Sequence, residues 1–201
     1  IDIVTDLRRR EVNTQNVIAI IEGADEKLKD EYVIIGAHYD HLGMGGHGSG
    51  SRDPDTIAIH NGADDNASGV AAILEIAEKL YSERGELRRS IIIMAFGAEE
   101  MGLLGSQFFT TEPLIDLDNI VLMVNFDMVG RFDNQTRSLM ISGTGTAEQM
   151  EDILSYHEKN TDMNFAHSPE GYGASDHASF YGAGVPVMFF FTGAHDDYHT
   201  P

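Results

Sequence analysis

The strongest constraint on the fold is a repeated unit. A nearly continuous apolar run ends at an imidazole or a carboxylate, and a helical pattern often follows. The runs are YVIIGAH (32–38), SIIIMAFGAEE (90–100), IVLMVNFD (120–127) and VPVMFFF (185–191), the last leading through a short loop to DDYH (196–199). Such runs lack the polar alternation of a strand with one wet face, so the sheet they build is buried on both sides. Strands are expected over 16–22, 32–37, 89–96, 120–126, 138–142 and 185–191. Between them, Val70, Ile73, Leu74, Ala77, Leu80 and Tyr81 recur at helical spacing. Further helices are expected over 101–110, 146–160 and 176–181. Alternation of this kind predicts an α/β domain, a mostly parallel mixed sheet sandwiched between helices. No repeat or linker interrupts it, so 1–201 reads as a single domain. The glycine-rich stretch GMGGHGSGSRDPDT (43–56) reads as a long surface loop.

With 201 residues, 42% of them hydrophobic, the chain can bury one substantial core. It carries 33 acidic and 13 basic residues, a formal net charge of −20. That balance argues against a nucleic-acid partner, which calls for a basic face. Much of the acidity can be solvated surface. A share can be ligand carboxylates, since three of these with one hydroxide neutralise two divalent cations. There is no cysteine, which excludes disulfides, thiolate zinc sites and a cysteine nucleophile. The apolar run ending at Ala98 is far short of the ~20 residues of a membrane helix.

Six polar residues stand where the runs stop: His38, Asp64, Glu99, Glu100, Asp127 and His199. In open α/β sheets, ligands bind outside the carboxyl ends of the strands, so one sheet edge gathers these distant positions. Imidazole and carboxylate suit borderline divalent metals. Each residue also has a plainer reading. His38 with Asp40 forms H-x-D, in which the carboxylate can orient the ring or simply be a turn residue. Asp64 and Asp65 precede a helix that Asp or Asn can cap, though two adjacent carboxylates suggest a cation bridge. Glu99 and Glu100 can favour a helix N-terminus, or one can ligate while the other takes a proton.

The stretches GAHYDH (36–41), NGADDNASGVAA (61–72), FGAEEMGLLGS (96–106), NFDMVG (125–130), GYGASDHASF (171–180) and DYHTP (197–201) resemble the M28 metallopeptidases, a di-zinc aminopeptidase group. The resemblance implies a zinc-exopeptidase (phosphorylase/hydrolase-like) fold and two Zn2+ ions, replaceable by Co2+ or Mn2+. It implies that His38 and Asp127 hold one zinc, that Glu100 and His199 hold the other, and that Asp64 bridges them. A cis peptide is expected between Asp64 and Asp65. Glu99 matches the general base that takes a proton from the water between the ions and passes it to the leaving amine. Tyr172 matches a tyrosine that stabilises the oxyanion. Asp40 matches the partner of His38, Asp65 neighbours the bridge, and Ser175 and Asp176 are expected to shape the surroundings of His199. Met128, Phe191 and Tyr198, with Phe190, are candidate walls of an apolar pocket for a peptide with a free N-terminus. By the same resemblance the chain is expected to be part of a longer, secreted or periplasmic protein.

Four alternatives are weighed against these motifs. A single-zinc glutaminyl cyclase usually lacks the first histidine ligand, and His38 is present. A carboxypeptidase or dipeptidase needs a basic group for the substrate carboxylate, for which Arg52 and Arg131 are the candidates. A non-catalytic relative would have lost ligands or base, and none is missing from the motifs. A magnesium or calcium protein is disfavoured by two histidines.

Overall fold

A computed structural model describes residues 11–201. Among them a seven-stranded sheet runs in the order β1-β3-β2-β4-β7-β5-β6. The strands are β1 (Val17–Ile21), β2 (Tyr32–His38), β3 (Ser90–Phe96), β4 (Ile120–Phe126), β5 (Ser138–Ser142), β6 (Asn164–Ser168) and β7 (Val187–Phe191). Strands β3, β2, β4 and β7 are mutually parallel, and so are β5 and β6. β1 pairs antiparallel with β3, and β5 antiparallel with β7. The sheet is therefore mixed, with the four apolar runs forming its parallel centre.

Strand periodicity sorts the core into two layers. On β2 and β3, Ile34, Ile92, Met94 and Phe96 face one side, where Phe109 of α2 (Leu104–Thr111) and Phe180 of α4 (His177–Gly182) meet them. Ile35, Ile91 and Ile93 face the other, against Ile73 of α1 (Gly69–Ser82). On that second side α3 (Met150–Glu158) adds Met150 and Leu154 against Ile141 and Met188. Helices thus cover both faces.

Several boundaries differ from expectation for local reasons. α2 starts at Leu104 rather than 101, because Gly102 (φ 100°) and Leu103 (φ 61°) adopt left-handed backbone that no α-helix accommodates. α3 is shorter than 146–160, since the hydroxyl of Thr146 donates to the Val187 carbonyl and the first residues form turns. β7 begins at Val187, after Pro186, which lacks the N–H a ladder needs. Strand β6, NFAHS, was not expected at all; it is short, partly polar and at the sheet edge.

Parallel strands end on the same side. β2 stops at His38, β3 leads to Glu99 and Glu100, β4 to Asp127, and β7 to the loop bearing His199. The central sheet thus delivers these side chains to one edge.

Candidate metal centre

The centre is organised around Asp65, not Asp64. One oxygen of Asp65 lies 3.2 Å from His38 Nε2, and the other lies 3.1 Å from His199 Nε2. On the first side, Asp127 Oδ1 is 3.4 Å from His38 Nε2. On the second, Glu100 Oε2 is 3.3 Å from His199 Nε2. Asp65 thus occupies the bridging position expected of Asp64, and the non-proline cis peptide lies between Asp65 and Asn66, not between Asp64 and Asp65.

The turn shows why. Gly62 takes a left-handed φ of 63°, and the chain then aims successive side chains differently. Asp64 points away: its Oδ1 accepts from the Gly130 N–H at 2.8 Å, and its Oδ2 lies 3.2 Å from His195 Nε2. Asn66 Oδ1 accepts from the N–H groups of Gly69 and Met128, and its amide donates to the Phe126 carbonyl. Asp64 and Asn66 therefore fasten the turn to the end of β4 and leave Asp65 facing the centre.

Both ligand-type imidazoles are oriented through their far nitrogens. His38 Nδ1 donates to the Asp40 carbonyl at 3.1 Å, and His199 Nδ1 to the Gly50 carbonyl at 3.0 Å. A carbonyl can only accept, so Nδ1 carries a proton and Nε2 is the nitrogen turned toward the carboxylates, where a bound cation would replace its proton. The Asp40 carboxylate does something other than expected: it accepts from the N–H groups of Glu99 and Glu100, at 3.0 and 3.2 Å. It fixes the adjacent pair rather than the His38 ring. Ala98, Met128 and His199 all have positive φ, so backbone strain collects beside the centre.

Ser175 and Asp176 lie under the His38–Asp127 side, not near His199. Ser175 Oγ accepts from buried Asn125, two residues before Asp127. Burial pushes the Asp176 carboxyl up to about 7; Ser106 and His38 oppose the shift, and the charges of Asp127 and Asp40 add to it. Tyr172 is 60% exposed and packs edge-on against Tyr181, away from the carboxylates. Tyr198 takes the inner position. Burial and the charges of Asp65, Glu100, Asp127 and Glu99 push its phenol up to about 12, so it remains an O–H donor.

A cavity of about 290 Å³ opens onto the cluster, walled by Met128, Ala174, Phe189, Phe191, Ala194 and Tyr198. Phe190 is not part of it; it stacks on Phe126 at 5.0 Å on the opposite face of the sheet. Strand period alone puts Phe189 beside Phe191, a signal the sequence offered. A second cavity of about 430 Å³ adjoins the other flank, lined by Asp64, Arg131, His195 and Asp197 among others. Arg131 is paired with Asp197 at 2.5 Å, and the Arg52 guanidinium donates to the carbonyls of Asp196 and Tyr198. His41 and His195 had no expected role, yet both face carboxylates of this region.

The donors fit a pair of divalent cations. With bonds of ~2.0–2.1 Å, tetrahedral ligand atoms stand about 3.3 Å apart. In the His38–Asp65–Asp127 and His199–Asp65–Glu100 sets, each histidine Nε2 lies 3.1–3.4 Å from its two carboxylate oxygens. Asp127 Oδ1 is buried with no hydrogen-bond partner. The site also demands positive charge: against the cost of burial, Asp127 and Asp65 push the His38 imidazole up to about 12. Glu99 stands apart, 4.0 Å from His38 Nε2, its carboxyl raised to about 8 by burial.

A mixed sheet with a two-histidine, multi-carboxylate centre at its carboxyl edge defines a metallopeptidase-type site, and residues 16–201 match the model of peptidase family M28. The chain belongs to that family. It is 32% identical over 180 residues to a protein of Arthroderma otae described as a probable leucine aminopeptidase, covering 88% of this chain and 46% of that one. It is 32% identical over 189 residues to leucine aminopeptidase 2 of Trichophyton equinum, covering 90% and 34%. Among solved structures, BSAP, a zinc aminopeptidase from Bacillus subtilis, shares 29% identity and a TM-score of 0.70 over 92% of this chain and 43% of that one. The aminopeptidase of Aneurinibacillus sp. strain AM-1 shares 28% and 0.68 over 92% and 41%. The chain spans less than half the length of each of these proteins.

Proposed function

We propose that this domain carries the catalytic centre of a two-zinc aminopeptidase. The observation that carries the reading is Asp65, whose two oxygens face two separate ligand sets while Glu99 stays outside both. His38, Asp65 and Asp127 would hold one ion; His199, Asp65 and Glu100 would hold the other. Bound zinc supplies a polarised carbonyl and a water of lowered pKa.

The protein groups do the rest. Glu99, buried beside the first set, takes the water's proton and returns it to the leaving amine. Its carboxylate stands 4.0 Å from His38 Nε2 and outside both sets, which leaves its oxygens free to carry a proton. The Tyr198 O–H is the donor placed to stabilise the developing oxyanion, a role the motif resemblance gave to Tyr172. Phe189, Phe191 and Met128 exclude water and shape an apolar cavity for the first side chain. A leucine-like residue suits its size and walls, and relatives are named for leucine. The surrounding carboxylates favour a cationic α-amine. Arg52 and Arg131 are committed to carbonyls and to Asp197, which weighs against a carboxypeptidase that needs a guanidinium for the substrate carboxylate. The presence of His38 in the cluster weighs against a cyclase built on one zinc.

The test combines metal content with turnover. The purified protein is expected to take up two zinc equivalents and to hydrolyse leucine p-nitroanilide, losing activity in chelator. Glu99→Gln is expected to retain both equivalents while the rate falls ~10²-fold or more. Fewer than two equivalents together with an inert panel of aminoacyl anilides would refute the proposal.

A further inference from the structure

His41 is the last residue of GAHYDH, and its ring is largely buried at 13% exposure. Its Nδ1 lies 2.7 Å from Glu100 Oε1 and 3.8 Å from Asp65 Oδ2. The first distance is that of a charge-assisted hydrogen bond. It is too short for two ligands of one ion, which stand about 3.3 Å apart, as His199 and Glu100 Oε2 do at 3.3 Å. The two oxygens of Glu100 therefore have different occupants: Oε1 meets His41, and Oε2 faces the ligand set.

The surroundings hold the ring in place. Gly62 lies so close that a Cβ there would sit 2.9 Å from His41 Cγ. The His199 ring meets it edge-on at 5.7 Å, and the His60 ring is tilted at 6.4 Å. His60 is itself anchored by the Ser51 hydroxyl at 2.8 Å and the Ala58 carbonyl at 3.1 Å. The ring is thus hemmed in on three sides, with its donor aimed at Glu100.

We propose that His41 is a positioning residue of the second metal site: its Nδ1–H occupies Glu100 Oε1 and restricts Glu100 to one-oxygen ligation. This rests on the two-metal reading. With Glu100 held to Oε2, that ion would have three protein ligands, Asp65, His199 and Glu100, and would keep a position open, as a catalytic rather than a structural site requires. Without that hydrogen bond Glu100 would no longer be held with Oε2 toward the ion, and the ligand set would lose its fixed geometry.

Zinc titration calorimetry on the whole protein tests this, with His41→Phe removing the donor and His41→Asn restoring an N–H near the Nδ1 position. In the Phe variant the second equivalent is expected to bind 10–100-fold more weakly while the first is unchanged. The Asn variant is expected to recover most of the loss. Wild-type affinity for both equivalents in the Phe variant overturns the proposal. So does zinc X-ray absorption showing one fewer imidazole on the metals of that variant, which would make His41 a ligand. If the Phe variant does not fold, the Asn variant decides: parallel weakening of both equivalents marks general damage and overturns the assignment. A wild-type protein that takes up fewer than two equivalents overturns the two-metal reading itself, before any variant is made.

Discussion

At the scale of single residues, the adjacent pair Asp64 and Asp65 shows how position within one turn decides function. Both are carboxylates and both are buried. Asp65 presents an oxygen to each histidine, whereas Asp64 Oδ1 accepts from the Gly130 N–H and its Oδ2 faces His195. Asp65→Asn leaves only one ligating oxygen. It is expected to lose at least one zinc equivalent, with affinity at the bridge falling ~10²-fold or more. Asp64→Asn keeps an acceptor for Gly130 and is expected to bind both equivalents within a few-fold of wild type. Metal analysis of the dialysed variants checks the pair; equal losses would remove the distinction. The sequence points to a bridging role for one of two adjacent carboxylates. It does not show which, because the left-handed Gly62 and the tertiary anchors at Gly130 and Phe126 set the aim of each side chain. Tyr172 and Tyr198 differ for the same reason: both stand in motifs, and only burial against the carboxylates separates them.

At the scale of elements, the parallel centre of the sheet was legible because β2, β3, β4 and β7 are apolar enough to be identified without partners. The glycine-rich segment was legible only as a loop. Its composition shows freedom, not destination. In the fold it reaches the C-terminal segment: the Gly50 carbonyl accepts from His199 Nδ1, and the Arg52 N–H donates to the His199 carbonyl at 2.9 Å. The Arg52 side chain adds donors to the Asp196 and Tyr198 carbonyls. His199 sits at φ 55°, an uncommon conformation for a non-glycine residue that surrounding contacts must hold. Arg52→Ala removes the side-chain clamp and keeps the backbone one. The second zinc equivalent is expected to weaken by about tenfold, the size of one charged hydrogen bond, while the first is unaffected. Calorimetry resolving the two equivalents checks this. Unchanged affinity for both would make the loop a covering rather than a support.

At the scale of the whole molecule, a chain of net charge −20 concentrates Asp65, Glu99, Glu100 and Asp127 around one small cavity. Without metal, the protonated His38 imidazole supplies one positive charge and the raised Glu99 carboxyl removes one negative charge, which offsets the crowding only in part. Two divalent cations would relieve both the local crowding and part of the global repulsion. Ligand that binds only the folded state adds RT ln(1 + [L]/Kd), about 4 kcal/mol at a thousand times Kd. For a domain of this size each kcal/mol moves Tm by roughly 2–4 °C. Each zinc equivalent at that excess is therefore expected to raise Tm by about 8–16 °C over protein in chelator. Salt separates this from generic screening. Between low salt and 1 M NaCl the Debye length falls to ~3 Å, so repulsion among exposed carboxylates is suppressed in either form. The cluster is buried and screened much less, so chelated protein in 1 M NaCl is expected to recover only part of the zinc-induced gain. If salt alone restores the whole shift, the stabilisation belongs to the surface charge and not to the centre at the sheet edge.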